Sequence, residues 1–340
     1  MTESPSPLGY LPLLLGFLPV LLFLVALLVM DSYKLVSRRS ALTTLAAGAL
    51  SAALAFAGNR TILDAGLDAG ALRTFVAPLI EEGIKASFVF ILLRAEKVGF
   101  MVDAAIRGFA IGAGFAVIEN LYYARSLGDF GLGLWVVRGL GTAIMHGSTT
   151  AIVAVAAKQL MDRHGTRAVW TLLPGVAVAV TVHSLFNQFP VHPLLATGIL
   201  ALSMPLLVVA VFERSEKATE KWLAVEFDSD VELLQRILND DLEGTHVGRY
   251  LASLRERFPG TVVADMLCLL RIHLELALRA KGMLVARAAG IDVPPDEHVR
   301  ANLEELDYLR KSIGKTGMLA VEPVLRASGR DLWQLRVLYR

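Results

Sequence analysis

Apolar and polar positions follow two different patterns along this chain. Long, nearly uninterrupted apolar runs continue to about residue 212, and after that apolar residues recur at helical spacing among charged ones. Seven apolar runs are each long enough to cross a hydrocarbon core about 30 Å thick. They are residues 8–30, 40–57, 74–93, 104–124, 133–157, 168–188 and 192–212. Because backbone groups in lipid must be hydrogen-bonded within each segment, the pattern predicts an all-α, polytopic transmembrane helix bundle of about seven spans.

Charge density places a boundary at the end of the last run. Of the first 212 residues 25 are Lys, Arg, Asp or Glu, whereas 40 of the remaining 128 are. The first part is too apolar for a water-soluble fold, and the second has the composition of an ordinary soluble domain. We therefore predict a transmembrane domain over residues 1–212 and a soluble helical domain over residues 213–340.

Basic residues in the connections predict the orientation of the bundle. Residues 31–40, 94–107 and 158–167 each carry three Lys or Arg, whereas the segment before the first run and the alternate connections carry two or fewer. Connections rich in Lys and Arg stay on the cytoplasmic side of a membrane. The bias predicts an outside N-terminus and a cytoplasmic C-terminal domain.

The C-terminal part has a helical pattern without a recognisable catalytic motif. Apolar residues recur at helical spacing from Val262 to Ala289, and a second helix is predicted over residues 296–312. An apolar face that is left over after folding marks an interaction site, so residues 226–340 are expected to bind a cytosolic partner or to pair two copies of the chain. A net charge of +1 gives no support for nucleic-acid binding. The single Cys268 excludes an intrachain disulfide and a cysteine-rich zinc site.

Ionisable and imidazole groups inside apolar spans are rare and costly, so each needs a partner or a function. Four consecutive predicted spans carry such groups at spacings that place them on one helix face. They are Glu81, Glu82 and Lys85 in the third span, Glu119 in the fourth, His146 in the fifth, and His183 with Asn187 in the sixth. Counted from the span ends, most of them fall in the outer half of the bilayer. Arg107 and Arg138 lie near span ends and are expected to extend toward the headgroups.

This set of groups suits hydrolysis of an amide inside the membrane. Two adjacent carboxylates in a poorly hydrated site cannot both ionise cheaply, so one of them is suited to accept a proton from water. Imidazole and amide groups can stabilise an oxyanion. Two alternatives use the same residues: a zinc-dependent protease with His146, His183 and Glu119 as ligands, and a non-enzymatic transporter or scaffold with a buried polar network.

The ordered motifs resemble the PrsW family of intramembrane proteases, which is similar to the CAAX-processing (Abi) proteases. The motifs are Glu81-Glu82-x-x-Lys85, Phe115-x-x-x-Glu119-Asn120, His146 and His183-x-x-x-Asn187, and the resemblance covers roughly residues 60–190. CAAX proteases usually have Arg at the position of Lys85 and His at that of Glu119, so both differences favour the PrsW branch.

The resemblance implies a glutamate-dependent peptidase. Our hypothesis is an endopeptidase of the bacterial plasma membrane that uses no cofactor. In this hypothesis Glu81 activates water, Glu82 and Lys85 tune its charge, and Glu119 is a supporting carboxylate or a second proton carrier. The oxyanion and the substrate are then held by His146, His183 and Asn187. The implied partners are membrane lipid and a single-span membrane protein, such as an anti-sigma factor cut near the outer face of the bilayer.

Overall fold

The structure is a computed structural model, and within its described residues the chain is helical, with no β-strand. The described residues are 11–126, 131–166, 168–188, 190–291, 293–294, 297–325, 331–335 and 338. The start of the first predicted span, residues 8–10, lies outside them. The prediction of an all-α chain is thus confirmed for the described residues.

Contacts between helices divide the chain into two units. One contains the residues up to Asp31 and Leu35–Glu216, and the other contains Ser32–Lys34 and Lys217–Arg340. Seven helices follow the predicted spans. They are α1 (Leu11–Met30), α2 (Arg38–Asp64), α3 (Ala77–Arg94), α4 (Met101–Ser126), α5 (Leu132–His164), α6 (Leu173–Gln188) and α7 (Pro193–Leu238).

Five of these helical segments are long and apolar enough to cross a membrane. They are Arg38–Asp64, Met101–Arg125, Leu132–His164, Val169–Gln188 and Pro193–Leu238. The apolar stretch of α1 from Leu14 to Met30 is shorter. Helix α3 carries three ionisable residues within five positions, so its composition does not mark it as a span. The count of seven spans therefore stays a prediction.

Glycines let α4 approach its neighbours closely. A Cβ atom built on Gly112 would lie 2.1 Å from the main-chain oxygen of His146 on α5, and one built on Gly108 would lie 2.7 Å from that of Thr150. These two glycines are four residues apart and form a G-x-x-x-G pattern, which brings membrane helices into backbone contact. The contact holds the His146 segment of α5 directly against α4.

Two π-helical segments adjoin the helices that carry the predicted site. Leu72–Val76 runs directly into α3, and Val137–Thr142 lies inside α5. A π turn takes up one residue more than an α turn, and such turns are frequent at functional sites. Residues on either side of each segment are therefore shifted by one position relative to an uninterrupted α-helix.

The second unit continues from α7 with α8 (His246–Leu254), α9 (Gly260–Ala288), α10 (Glu297–Leu325) and α11 (Asp331–Leu335). Helix α9 confirms the predicted helix of residues 262–289, and its predicted apolar face contributes buried Val263, Met266 and Leu270. Helix α10 extends well past the predicted end at residue 312. It is broken at Gly314, whose φ of 71° and ψ of 172° are not helical.

Candidate active site

The carboxylate of Glu82 lies at the centre of a buried polar cluster that joins α3, α5 and α6. Its Oε1 accepts hydrogen bonds from Lys85 Nζ at 2.7 Å and from His183 Nδ1 at 2.9 Å, and Thr149 Oγ1 donates to Oε2 at 3.4 Å. The side chains of Glu82 and Lys85 have no exposed surface. A buried carboxylate needs several such donors, because it has lost all of its water.

His146 connects this cluster to the carboxylate of Glu119 on α4. Its Nδ1 lies 2.9 Å from Lys85 Nζ, and its Nε2 lies 3.0 Å from Glu119 Oε2. An ammonium group can donate but cannot accept a hydrogen bond, so Nδ1 of His146 carries the lone pair. The ring proton is then on Nε2, where it is donated to Glu119.

His183 has the opposite tautomer. Because Glu82 accepts at Nδ1, the ring proton of neutral His183 is on that nitrogen and the lone pair is on Nε2. This Nε2 lies 3.8 Å from Oε2 of Glu81, and Oε1 of Glu81 accepts a hydrogen bond from Asn59 on α2 at 3.0 Å. The side chain of Glu81 is 13 % exposed, whereas that of Glu82 is fully buried. Glu81 thus has exposed surface and Glu82 has none.

Arg138 is held inside the cluster, and the expectation that it extends to the headgroups is wrong. Its Nη2 lies 3.3 Å from Glu119 Oε1, its Nε donates to Asn120 Oδ1 at 3.0 Å, and its guanidinium lies 3.7 Å from the ring centroid of Tyr123. The same expectation is wrong for Arg107, which is buried and pairs with Asp103 at 2.5 Å. In both cases a carboxylate within reach stabilises the buried guanidinium.

Asn187 lies at one edge of the site and is engaged with the main chain. Its Nδ2 donates to the carbonyl oxygen of Arg73 at 3.0 Å, and the Arg73 guanidinium donates to the carbonyl oxygen of Asn187 at 3.1 Å. These bonds tie the end of α6 to the π segment that precedes α3. The predicted role of Asn187 in holding an oxyanion stays a prediction.

The structure therefore brings together six of the seven predicted site residues, Glu81, Glu82, Lys85, Glu119, His146 and His183. The seventh, Asn187, bonds to the main chain of Arg73. The sequence interpretation missed the contacts of Asn59, Thr149 and Arg138. The G-x-x-x-G pattern at Gly108 and Gly112 is a signal that could have predicted the close approach of α4 and α5.

Three of these residues form a possible metal-binding group, although it differs from the predicted one. One ligand atom each of Glu81, His146 and His183 lie within 4.8 Å of one another, whereas the predicted set had Glu119 in place of Glu81. Glu81 and the Nε2 lone pair of His183 fit a zinc ion, and the His183–Glu82 bond is the support that zinc-bound histidines usually have. His146 does not fit, because its two nitrogens face the Lys85 ammonium and the Glu119 carboxylate.

Comparison with known proteins assigns the chain to a family. A family model described as "PrsW family intramembrane metalloprotease" matches residues 36–212, which is more than half of the chain and includes every residue of the cluster. No curated protein and no solved structure matches the chain. The match confirms the resemblance seen in the motifs, and it gives no support to the non-enzymatic transporter or scaffold. The chain is a multi-pass membrane protein and a peptide hydrolase that belongs to the PrsW family of intramembrane proteases.

Proposed function

We propose that Glu81 is the general base that activates water for cleavage of a peptide bond in a membrane-anchored protein. The observation that carries this proposal is the pair formed by the partly exposed Glu81 carboxylate and the Nε2 lone pair of His183, 3.8 Å apart. A water molecule between them can donate one hydrogen to each acceptor. Its oxygen lone pair then points away from both groups, toward a substrate carbonyl.

The proposed reaction balances with these groups alone. The water oxygen bonds to the carbonyl carbon while one of its protons passes to Glu81, and the carbonyl oxygen becomes an oxyanion. The C–N bond then breaks, and the proton held by Glu81 is delivered to the leaving amine nitrogen. In this proposal His183 orients the water and does not donate to the oxyanion, because its Nδ1–H is committed to Glu82.

His146 has a proposed positioning role. Its Nε2–H is donated to Glu119 at 3.0 Å, so this proton is committed to Glu119 as the Nδ1–H of His183 is committed to Glu82. Lys85 fixes this tautomer from the other side of the ring. Asn187 is the proposed donor to the oxyanion, once its amide turns from the Arg73 carbonyl toward the substrate.

The proposed substrate is a single-span membrane protein of the bacterial plasma membrane, such as an anti-sigma factor. Family resemblance supports the substrate class and the compartment. The basic residues of the predicted cytoplasmic connections support an outside N-terminus and a cytoplasmic C-terminal domain, and with this topology Glu81 lies toward the outer face.

Substrate trapping tests the proposal. Full-length Glu81→Gln protein, purified in detergent, should retain intact single-span proteins that mass spectrometry identifies, and the wild type should release them as two fragments. Glutamine keeps the oxygen that accepts from Asn59 but cannot take up a proton. Glu213→Gln, an exposed change of the same kind, is the matched control and should behave as wild type. Normal cleavage by Glu81→Gln would remove Glu81 from the mechanism.

A zinc-dependent protease is the second candidate, and the approach of Glu81 to the Nε2 lone pair of His183 favours it. His146 can be a third ligand only if its ring turns away from Lys85 and Glu119. Zinc would supply a Lewis acid and an activated water. Metal analysis of the purified protein and cleavage after dialysis against a chelator distinguish the two candidates. The metal-independent proposal expects less than one zinc per ten chains and unchanged cleavage. Stoichiometric zinc, with cleavage lost on removal and restored on addition, would overturn it.

A further inference from the structure

A cavity of about 620 Å³ lies between α9 and α10 of the second unit, outside the residues matched by the family model. Pockets that bind small organic molecules have volumes of roughly 300–1,000 Å³. The wall contains the apolar side chains of Met318, Leu319 and Leu325. Leu319 is 69 % exposed and adds apolar surface to this wall.

The break in α10 turns the start of a helix toward this cavity. Gly314 adopts φ 71°, a value that glycine reaches without strain, and the chain resumes helical geometry at Lys315. Where a helix begins, its first backbone N–H groups have no partner within the helix, and the helix dipole gives that end a partial positive charge. Gly314 and Lys315 both line the cavity, so this end of the helix adjoins it.

His273 on α9 provides an independent indication of a ligand. It lines the cavity, is 5 % exposed, and its Nε2 has no hydrogen-bond partner. A buried polar atom without a partner costs about 1–3 kcal/mol of stability. Burial, followed by the charges of Arg310 and Lys281, lowers the pKa of His273 to about 4. The imidazole is therefore neutral near pH 7 and can donate one N–H.

The charges around the cavity specify the ligand. Arg310 and Lys315 contribute two positive charges and Glu322 one negative charge, which leaves a surplus of one positive charge. Arg310 also pairs with Asp307 at 3.6 Å, but both side chains are well exposed, and such surface pairs are weak. The surplus matches a single negative charge, and the apolar wall matches a hydrocarbon portion.

We infer that this cavity binds an amphipathic monoanion, a molecule that joins one carboxylate or similar anionic group to an apolar chain. The anionic group lies near Arg310, Lys315 and the start of the second half of α10, beside His273. The apolar chain covers Met318 and Leu319. This site is separate from the proposed peptidase site and does not depend on it.

The test uses octanoate as the probe and the full-length chain in nanodiscs of zwitterionic lipid. The seven histidines are labelled with ¹³C at Cε1, and the His273 signal is identified by its loss in His273→Gln. Octanoate should shift the His273 signal saturably, whereas octanamide, which has the same chain without the charge, should not. A second arm replaces octanoate with anionic phospholipid in the nanodisc, and a shift there identifies a lipid as the source of the anion.

Charge variants complete the experiment. Arg310→Gln with Lys315→Gln should weaken octanoate binding at least tenfold, and Arg300→Gln with Lys311→Gln, exposed changes on the same helix, should not. The inference is overturned by equal binding of octanamide and octanoate, by an equal loss in the control pair, or by no shift of His273 in either arm.

Discussion

The two units of the chain each contain a fully buried lysine, and the two lysines have similar surroundings. Lys85 and Lys281 both lie 2.7 Å from a carboxylate oxygen, and both lie near an aromatic ring, at 4.7 Å from the centroid of Phe115 and 5.1 Å from that of Trp222. A buried ion pair of this kind is weak evidence for either stability or function. The immediate partners of the lysines therefore do not distinguish a site from a structural contact.

The two lysines differ in the further contacts that the partner carboxylate makes. Glu82, the partner of Lys85, also accepts a hydrogen bond from His183, and Nε2 of His183 lies 3.8 Å from the partly exposed Glu81. Asp230, the partner of Lys281, is itself 16 % exposed and joins α7 to α9. A buried charge pair becomes part of a reaction site when it orients another group that can move a proton, and otherwise it holds two helices together.

Replacing each lysine by methionine should give the largest contrast. Lys85→Met leaves the Glu82 carboxylate buried without its cation, which should cost about 3–5 kcal/mol and abolish cleavage. Lys281→Met should cost less, because Asp230 retains some water, and cleavage should continue at the wild-type rate. Hydrogen exchange of α3 and α9 measures the local stability, and a peptidase assay measures the rate.

The double variant Lys281→Met with Asp230→Leu is the control for this comparison. Removing both charges should restore most of the lost stability, since no unpaired charge remains. Loss of cleavage in Lys281→Met with the α9 exchange unchanged would show that the two lysines do not differ in the way described.

Glycine substitutions should give the next largest difference between the two units. Gly112→Ala adds a Cβ that meets the His146 carbonyl at 2.1 Å, so α5 must move and carry His146 with it. Misplacement of a reacting group by about 1 Å can cost roughly 10²-fold in rate. Gly282→Ala in α9 meets nothing within 4 Å and should leave cleavage unchanged while adding about 0.5–1 kcal/mol of helix stability. Equal cleavage by both variants would argue against the α4–α5 contact as the support of His146.

Arg138 is proposed as a positioning residue, with a smaller effect. Arg138→Lys keeps the charge near Glu119 but loses the planar fork that also reaches Asn120, so kcat should fall about tenfold with KM nearly unchanged. Arg236→Lys, an exposed pair with Glu232, is the matched change in the second unit and should have no effect. A rise in KM alone would instead place Arg138 in substrate binding.

Acidification should have the smallest of these effects, a decrease in the stability of the second unit. The pKa of His273 is near 4 in the folded chain and 6.5 ordinarily, so the unfolded state binds the proton first. Stability from neutral His273 is complete above pH 6.5 and is lost as the pH falls toward 4. Between pH 7.5 and 5.5 the loss should be about 1 kcal/mol.

Hydrogen exchange of α9, corrected for the intrinsic pH dependence of exchange, measures this loss. His273→Gln should remove it, because glutamine does not titrate. The charged groups around His273 are Arg310, Lys315 and Glu322 of α10 and Lys281 of α9. An undiminished pH effect in His273→Gln would assign the effect to another group.

The sequence predicted the helices and most of the cluster because both depend on local pattern. Long apolar runs fix where membrane helices form, and a costly group such as Glu81 or His183 must lie on an inward face whatever the packing details are. The hypothesis gave water activation to Glu81, but the pattern alone does not decide which of Glu81 and Glu82 is exposed. Adjacent residues differ by only about 100° around the helix, and packing decides between them.

Two other features that the sequence did not predict have physical causes in the backbone. Gly314 is one residue in an otherwise helical pattern, and the sequence does not show whether α10 stops there or restarts. Arg138 precedes His146 by eight residues, which in an uninterrupted α-helix places the two side chains about 80° apart. The π segment Val137–Thr142 takes up one extra residue, so both side chains reach Glu119 from the same face.

That π turn makes the length of α5, and not only its composition, a determinant of the site. A chain with one residue fewer between positions 137 and 142 could form a regular α-helix. A residue next to Arg138 in the sequence, and not Arg138 itself, would then lie opposite Glu119. Single-residue insertions and deletions are usually regarded as harmful inside a helix. Here the extra residue of the π turn places Arg138 on the face of α5 that contacts Glu119. Relatives of this chain should therefore be aligned across α5 with a one-residue gap allowed.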